Sequence, residues 1–398
     1  MNAATLGRVL SRLLEASHTS VFEQLPGLLD DAAREAGAGG ARLFVVDLQQ
    51  DVLREVTGVG LDAGQGGQEA RIEGTLPGRA YQMLQITAPP GKGSCWAPVL
   101  DGTERLGVLR VDPAPGATDI PDHDVVRALA SLAGLLLISK RTNSDSHARL
   151  TRTRPMGVSA EMQWRLMPPR TFANGRVTIS AVMEPAYRMA GDAFDYAIAG
   201  DVTHLAVFDA MGHDTAAGLT ASLAMATCRS SRRSGSGLAE ISHAIEEALA
   251  EQFGHSRYAT GILADLDLAT GAFRWVNRGH LLPVVIRGGR WATTLSCPAA
   301  GPMGTGLDLP TQVCVDQLEP GDRLLLFTDG ITEARDAAGE LFGPERFTDF
   351  IIRHHADGLP VAETLRRLIH AVLEHHDGRL DDDATVLFCQ WHGKTADH

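Results

Sequence analysis

From about residue 172 onward, short runs of β-branched and aromatic residues alternate with longer stretches in which apolar positions recur every three or four residues. The runs at 176–185, 203–210, 258–268, 273–279, 282–289, 311–318, 322–330 and 384–391 predict strands. Helices fit 214–231, 238–252, 344–355 and 360–376, the last with Val361, Leu365, Leu368, Ile369 and Val372 on one face. Consecutive strands with helices inserted in pairs predict an α+β domain, a two-sheet sandwich flanked by helices.

The first 140 residues follow a different rhythm. Phe22, Leu25, Leu28, Leu29 and Ala32 fall at helical spacing, and alternating strands follow at 41–48, 52–60 and 105–112, with a closing helix at about 121–140. This α+β order, with the stretch "IEGTLPGRAYQ" at 72–82, resembles the GAF family of small-molecule sensor domains. No metal-ligand or haem-ligand set names what it would sense. Between 141 and 171 the chain turns polar and basic, "RTNSDSHARLTRTRP", and then "VSAEMQWRLMPP" carries an apolar stripe of Val158, Met162 and Leu166 that Pro168 and Pro169 end. The segment predicts a helical linker. A plain spacer and a helix that couples the first domain to the next, pairing two chains into a homodimer, both fit it.

Bulk properties narrow the function. A chain of 398 residues predicts two or three domains, and 44% hydrophobic residues can fill their cores. A formal net charge of -13 argues against nucleic-acid binding and means that an anionic substrate needs a local cation. The five cysteines, Cys95, Cys228, Cys297, Cys314 and Cys389, form no CxxC pair, so neither a zinc site nor a disulfide framework is indicated and a reducing cytoplasm fits. No signal-type h-region opens the chain. The longest apolar run, "ALASLAGLLLI" at 128–138, is far short of the roughly 20 residues of a membrane span.

Carboxylates supply the candidate chemistry. "RLDDDATVLF" at 379–388 sets Asp381, Asp382 and Asp383 against a strand-like run. A polar turn explains such a triplet, and so does a divalent cation, whose charge removes the repulsion among its ligands. Further aspartates recur at strand ends: Asp192 and Asp195 in "MAGDAFDYA", Asp209 in "AVFDAMGHD" and Asp329 in "LLLFTDGITEA". Gly212 and Gly330 predict tight turns beside them. Singly, each is an ordinary turn.

Their order is more specific. GDxxD, FDxMGH, NxGH at 277–280, PGDxLLLFTDGITEA at 320–334 and DDDATV at 381–386 together resemble the PPM family of metal-dependent protein phosphatases. The likeness is to its bacterial branch, typified by the sporulation stage II E phosphatase and the stress-response regulators of sigma factors, and spans a domain at 172–393. It implies an αββα sandwich holding two manganese or magnesium ions (Mn2+ or Mg2+), and a hydroxide that attacks a phosphoserine or phosphothreonine. By motif, Asp209 would bridge both ions with the Ala210 carbonyl as a backbone ligand, Asp329 and Asp382 would hold the second ion, and Asp192 would act on the other. Asp383 is the alternative to Asp382.

Two positions depart from that pattern, Ala190 for a glycine before Asp192 and Asp214 for a glycine after His213, where it would cap the next helix or alter access to the metals. His213 is open between protonating the leaving oxygen and shaping the turn. Asn277 and His280 imply a hairpin beside the site, and the histidine pairs 354–355 and 375–376 read as solvated. "PPGKGS" at 89–94 lacks phosphate-loop spacing. "RSSRR" at 229–233 either ends a helix or receives an acidic partner. The resulting expectation is a cytoplasmic serine/threonine phosphatase acting on a phosphorylated anti-sigma factor antagonist under control of the sensor domain. The alternatives are a catalytically silent phosphatase fold that binds partners and a two-metal nuclease, the latter disfavoured by the acidic charge.

Overall fold

The computed structural model describes residues 3–90, 93–117, 122–188, 191–307, 309–356, 358–376, 380 and 382–393, without the side chains of 3, 355 and 356. Ala190, Lys92, Gly378 and Asp381 lie outside the described residues, as does the side chain of His355. The chain divides into two compact units, Met1–Pro155 and Met156–His398.

The first unit runs α1 (Ala3–Ser17), α2 (Leu25–Glu35), β1 (Gly40–Val46), β2 (Val52–Glu55), β3 (Glu69–Arg71), α3 (Leu76–Met83), β4 (Cys95–Asp101), β5 (Glu104–Asp112), α4 (His123–Arg141) and α5 (Asp145–Thr151). Its antiparallel sheet has the order β3-β2-β1-β5-β4. Alternation along β1 places Leu43 and Val45 against α1, α2 and α4, and Phe44 and Val46 against α3. The sequence pattern missed β4, where Pro98 interrupts the run; on an edge strand the missing N–H costs no ladder bond.

The second unit runs α6 (Val158–Leu166), β6 (Thr171–Ala173), β7 (Val177–Glu184), β8 (Asp192–Ala199), β9 (Val202–Ala210), α7 (Thr215–Arg233), α8 (Leu238–Phe253), β10 (Ala259–Asp267), β11 (Ala272–Arg278), β12 (Val284–Arg287), β13 (Trp291–Thr294), β14 (Cys314–Gln317), β15 (Arg323–Phe327), α9 (Asp329–Thr332), α10 (Gly343–Ala356), α11 (Val361–His375) and β16 (Ala384–Trp391). One sheet is ordered β14-β11-β10-β9-β8, the other β13-β12-β15-β16-β7-β6. A large core that includes Val207, Ile262, Leu326 and Leu387 fills the space between them and continues under α7 and α8. A second core under α9, α10 and α11 covers the outer face of the other sheet with Leu325, Phe327, Val386 and Phe388. The four layers are helices, sheet, sheet, helices, as the pattern predicts.

The segment expected to be one helical linker is split between the units. Leu150 of α5 is buried in the core of the first unit, and its carbonyl accepts from Arg54. Helix α6 packs on α7 in the second unit. Its buried face is Ser159, Ala160 and Gln163, whereas Val158 of the expected stripe is 68% exposed. A polar face escapes an apolar-periodicity rule. The cysteine reading is also corrected: Cys297 and Cys314 form a disulfide with Cα atoms 5.9 Å apart, and the other three cysteines are free and buried. Seventeen residues of separation carry no sequence signature, because the loop between them decides whether the thiols meet. Among the described residues no helix is long and apolar enough to cross a membrane.

Candidate metal centre

Strands β8 and β9 pair so that Asp192 stands directly opposite Asp209. Directly opposed residues of an antiparallel pair share a face, and like charges there repel. Both aspartates lie within strands, Asp192 opening β8 and Asp209 next to the end of β9, rather than past strand ends as expected. The other sheet contributes Asp329, the first residue of α9 after β15, and Asp383, immediately before β16.

Small residues let the two sheets close here. A Cβ on Gly330 would overlap the Asp383 carbonyl, so this glycine serves close packing rather than the tight turn predicted for it. A Cβ on Gly191 would come within 2.7 Å of the Ala210 carbonyl, and Ala210 N–H donates to Gly191 O at 2.9 Å. Ala210, the expected backbone ligand, thus ends β9 against the chain that leads into Asp192.

Polar links then tie the sheets together. Thr328 Oγ1 donates to Asp192 Oδ2 at 2.6 Å and itself accepts from Thr385 N–H at 2.9 Å. Asp383 Oδ2 accepts from the N–H groups of Gly191 at 2.7 Å and Asp192 at 3.3 Å. Gln163 of α6 donates its amide to the Asp192 carbonyl at 2.9 Å. The NxGH motif makes a third tie. Asn277 Oδ1 accepts from His280 N–H at 2.8 Å, while the His280 ring spans from Thr260 Oγ1 at 2.8 Å to the Phe327 carbonyl at 3.1 Å, one sheet to the other. Burial pushes the pKa of this ring down to about 4, so it is a neutral strut.

The carboxylates titrate as an acidic cluster. Burial pushes Asp209 up to about 7, helped by the charges of Asp329, Asp382 and Asp383. Asp192 is raised well above the usual carboxylate range by burial, then by Asp209 and Asp383, against the opposing Thr328 bond. Asp329 is raised by burial, then by Asp382 and Glu333. The members of the triplet differ: Asp383 is buried and bonded to backbone, whereas Asp382 is exposed, accepts from Asp383 N–H at 2.8 Å and presses its charge on Asp209 and Asp329.

Among the described residues no three His, Cys, Asp or Glu side chains are already drawn together as a metal cage. The donor set nevertheless fits a hard divalent cation: carboxylate oxygens from both sheets, with Asp192, Asp209 and Asp329 raised by burial and by neighbouring carboxylates.

Around this cluster several sequence readings change. Asp195, three residues along β8, points to the opposite face and is bound by Arg229 (2.6 and 2.9 Å) and Arg232 (2.9 Å) of α7. The basic run at 229–233 therefore spends two of its arginines on a buried internal partner. Asp214 is the N-cap of α7, accepting from Ala217 N–H at 2.8 Å, and Arg257 grips both its carboxylate and the Met211 carbonyl. His213 is exposed on the turn so fixed. His375 and His376, expected to be solvated, bond the backbone of Glu340 and Arg335. Gln163 was missed as a functional residue; a glutamine on a helix face offers no local signal.

Comparison with known proteins identifies the unit. Residues 199–392 match the family described as stage II sporulation protein E (SpoIIE), a span that holds Asp209, Asp329, Asp382 and Asp383 and begins after Asp192. The chain is 23% identical over 231 residues to the phosphoserine phosphatase RsbU of Bacillus subtilis, covering 58% of this chain and 68% of that protein. It is 25% identical over 244 residues to protein IcfG of Synechocystis sp., covering 52% of this chain and 37% of that one. A crystal structure of the RsbU and RsbW domains of Rv1364c from Mycobacterium tuberculosis aligns with a TM-score of 0.49 and 24% identity, over 56% of this chain and 63% of that one. Over residues 199–392 the C-terminal unit is thus similar to the family described as stage II sporulation protein E.

Proposed function

We propose that this chain is a metal-dependent protein serine/threonine phosphatase whose first unit is a GAF-like sensor domain. The observation that carries the reading is the facing of Asp192 and Asp209 across β8 and β9, with Asp329 and Asp382 bearing on the same charge. Asp209 would be shared by two divalent ions, manganese or magnesium, with the Ala210 carbonyl beside it, Asp329 and Asp382 on one ion and Asp192 on the other. Divalent ions, when bound, acidify water and neutralise charge on phosphoryl oxygens. The protein's own part is to keep the carboxylates ionised and oriented. Thr328 fixes the Asp192 carboxylate, and Asp383 holds the Gly191–Asp192 backbone, which favours Asp382 over Asp383 as the ligand. Exposed His213 is our candidate for delivering a proton to the leaving oxygen.

Similarity to a protein named a phosphoserine phosphatase supports a phosphoprotein substrate, which we take to be a phosphorylated anti-sigma factor antagonist. Control by the first unit would pass along the chain through α6, which begins the second unit and bonds the Asp192 carbonyl through Gln163. Phosphate release from p-nitrophenyl phosphate and from a phosphoserine peptide tests the reading. Turnover should require manganese, stop with chelator and be lost in Asp209→Asn and Asp329→Asn. Manganese binding without release from either substrate or from a phosphorylated protein would leave a binding module.

A further inference from the structure

We propose that Arg257 and Asp214 form a clamp that positions the Ala210 carbonyl for metal binding, an inference that rests on the two-metal phosphatase reading and adds two positioning residues to it. The chain passes Asp209 and Ala210 at the end of β9, turns through residues 211–214 and enters α7 at Thr215. Every residue of that turn is exposed, so no buried side chain fixes its course. Gly212 adds freedom, with a φ of 88° that glycine adopts readily.

Polar ties to the residues before β10 fix the turn instead. Met211 N–H donates to the Tyr258 carbonyl at 3.0 Å. One terminal nitrogen of the Arg257 guanidinium donates to the Met211 carbonyl and to Asp214 Oδ1, both at 3.1 Å, and the other donates to Asp214 Oδ2 at 2.9 Å. The guanidinium therefore joins the first residue of the turn to the last. Asp214 is also anchored to α7, whose Ala217 N–H it accepts. Closed in this way, the turn brings two carbonyl oxygens against the residue before Asp192: a Cβ on Gly191 would stand 2.7 Å from Ala210 O and 2.9 Å from Gly212 O.

The side chains of Arg257 and Asp214 are 22% and 57% exposed, and a pair so open to water adds little to stability. Its contribution is geometric. A planar fork that takes a carboxylate with two nitrogens and a carbonyl with one of them fixes all three oxygens together, which a lysine ammonium on its flexible stem does not. Asp214 stands where the phosphatase pattern has glycine, so that pattern does not supply the clamp. Charge gives the test its sign. Arg257 bonds the residue two beyond Asp209, and removing a cation from beside a cation site tightens metal binding if charge alone matters. Losing a clamp loosens it.

The test titrates manganese into the full chain by calorimetry. Arg257→Met should raise the manganese Kd about tenfold, and Arg257→Lys, which keeps the charge and loses the fork, should raise it nearly as much. Asp214→Ser keeps a helix cap and should weaken binding similarly, and Arg257→Met with Asp214→Ser should be no worse than either alone, because both act through one clamp. Arg176→Met breaks an exposed pair with Asp201 at the opposite end of β8 and β9 and should leave the Kd unchanged. Hydrogen exchange in chelator reads the clamp without metal: amides of the turn should exchange about tenfold faster in Arg257→Met, with little change in melting temperature. Tighter or unchanged manganese binding in Arg257→Met, or turn amides that exchange no faster, overturns the clamp and leaves the phosphatase reading standing. Manganese binding that weakens in Arg257→Met, in a chain whose wild type releases no phosphate from p-nitrophenyl phosphate or a phosphoserine peptide, supports the clamp and overturns the phosphatase.

Discussion

Strand β8 carries two buried aspartates three residues apart, and the protein treats them in opposite ways. Asp195 faces α7 and meets two arginines, so its charge is neutralised inside the fold. Asp192 faces the other sheet and meets Asp209 and Asp383, so its charge is compounded. Glu363 with Arg366 and Arg367 on α11 follows the first style. Asp195 and Glu363 are thus neutralised by guanidinium, whereas burial and neighbouring carboxylates raise the cost of charge on Asp192, Asp209 and Asp329, an arrangement that suits a cation from outside.

Breaking the uncompensated side has the largest expected effect. Asp209→Asn should lower metal-dependent phosphate release by at least about a hundredfold, measured as initial rate at saturating manganese. Breaking the compensated side should cost stability. Arg232→Met leaves Asp195 short of one partner and should lower unfolding free energy by about 3 kcal/mol in urea titration, with activity per folded molecule retained.

The metal-free chain then separates the two kinds of carboxylate by pH. Asp209 titrates at about 7 in the folded state against an ordinary value of 3.8. Between those values the folded chain binds a proton that the unfolded chain has released, so stability falls as pH rises through the window, by on the order of a few kcal/mol. With chelator, the urea midpoint should drop between pH 4 and pH 7.5, the Asp209→Asn variant should flatten that slope, and manganese should reverse it. A midpoint that rises over this range would break the comparison. The smallest effect concerns the brace behind Asp192. Gln163→Leu removes the amide that holds its carbonyl and should weaken manganese binding by about tenfold, read by calorimetry, with a modest change in melting temperature.

Much of this was legible in the sequence. The alternation of strand and helix patterns predicts the four-layer unit, and the order of the aspartate motifs points to the carboxylates that the fold gathers. The different fates of Asp192 and Asp195 were not read, because no strand was predicted over 192–199, where an offset of three puts two side chains on opposite faces. What stayed hidden depends on contacts distant in sequence: Cys297 meeting Cys314, Gln163 reaching the Asp192 carbonyl, and Arg229 with Arg232 turning inward to Asp195. The triplet was ambiguous for the same reason. The bonds to the backbone of Gly191 and Asp192 that mark Asp383 off from exposed Asp382 come from far away in the chain.

His280 spans from Thr260 on one sheet to Phe327 on the other, and the carboxylates are likewise divided between the sheets. The aperture of the carboxylate cluster is therefore a dimension of the whole sandwich, set by how thick its middle layer is. Packing Val207, Ile262, Leu326 and Leu387 more or less tightly would widen or narrow that aperture without touching a ligand. The spacing of the carboxylates is adjustable from the interior, by residues that belong to neither side of the cluster.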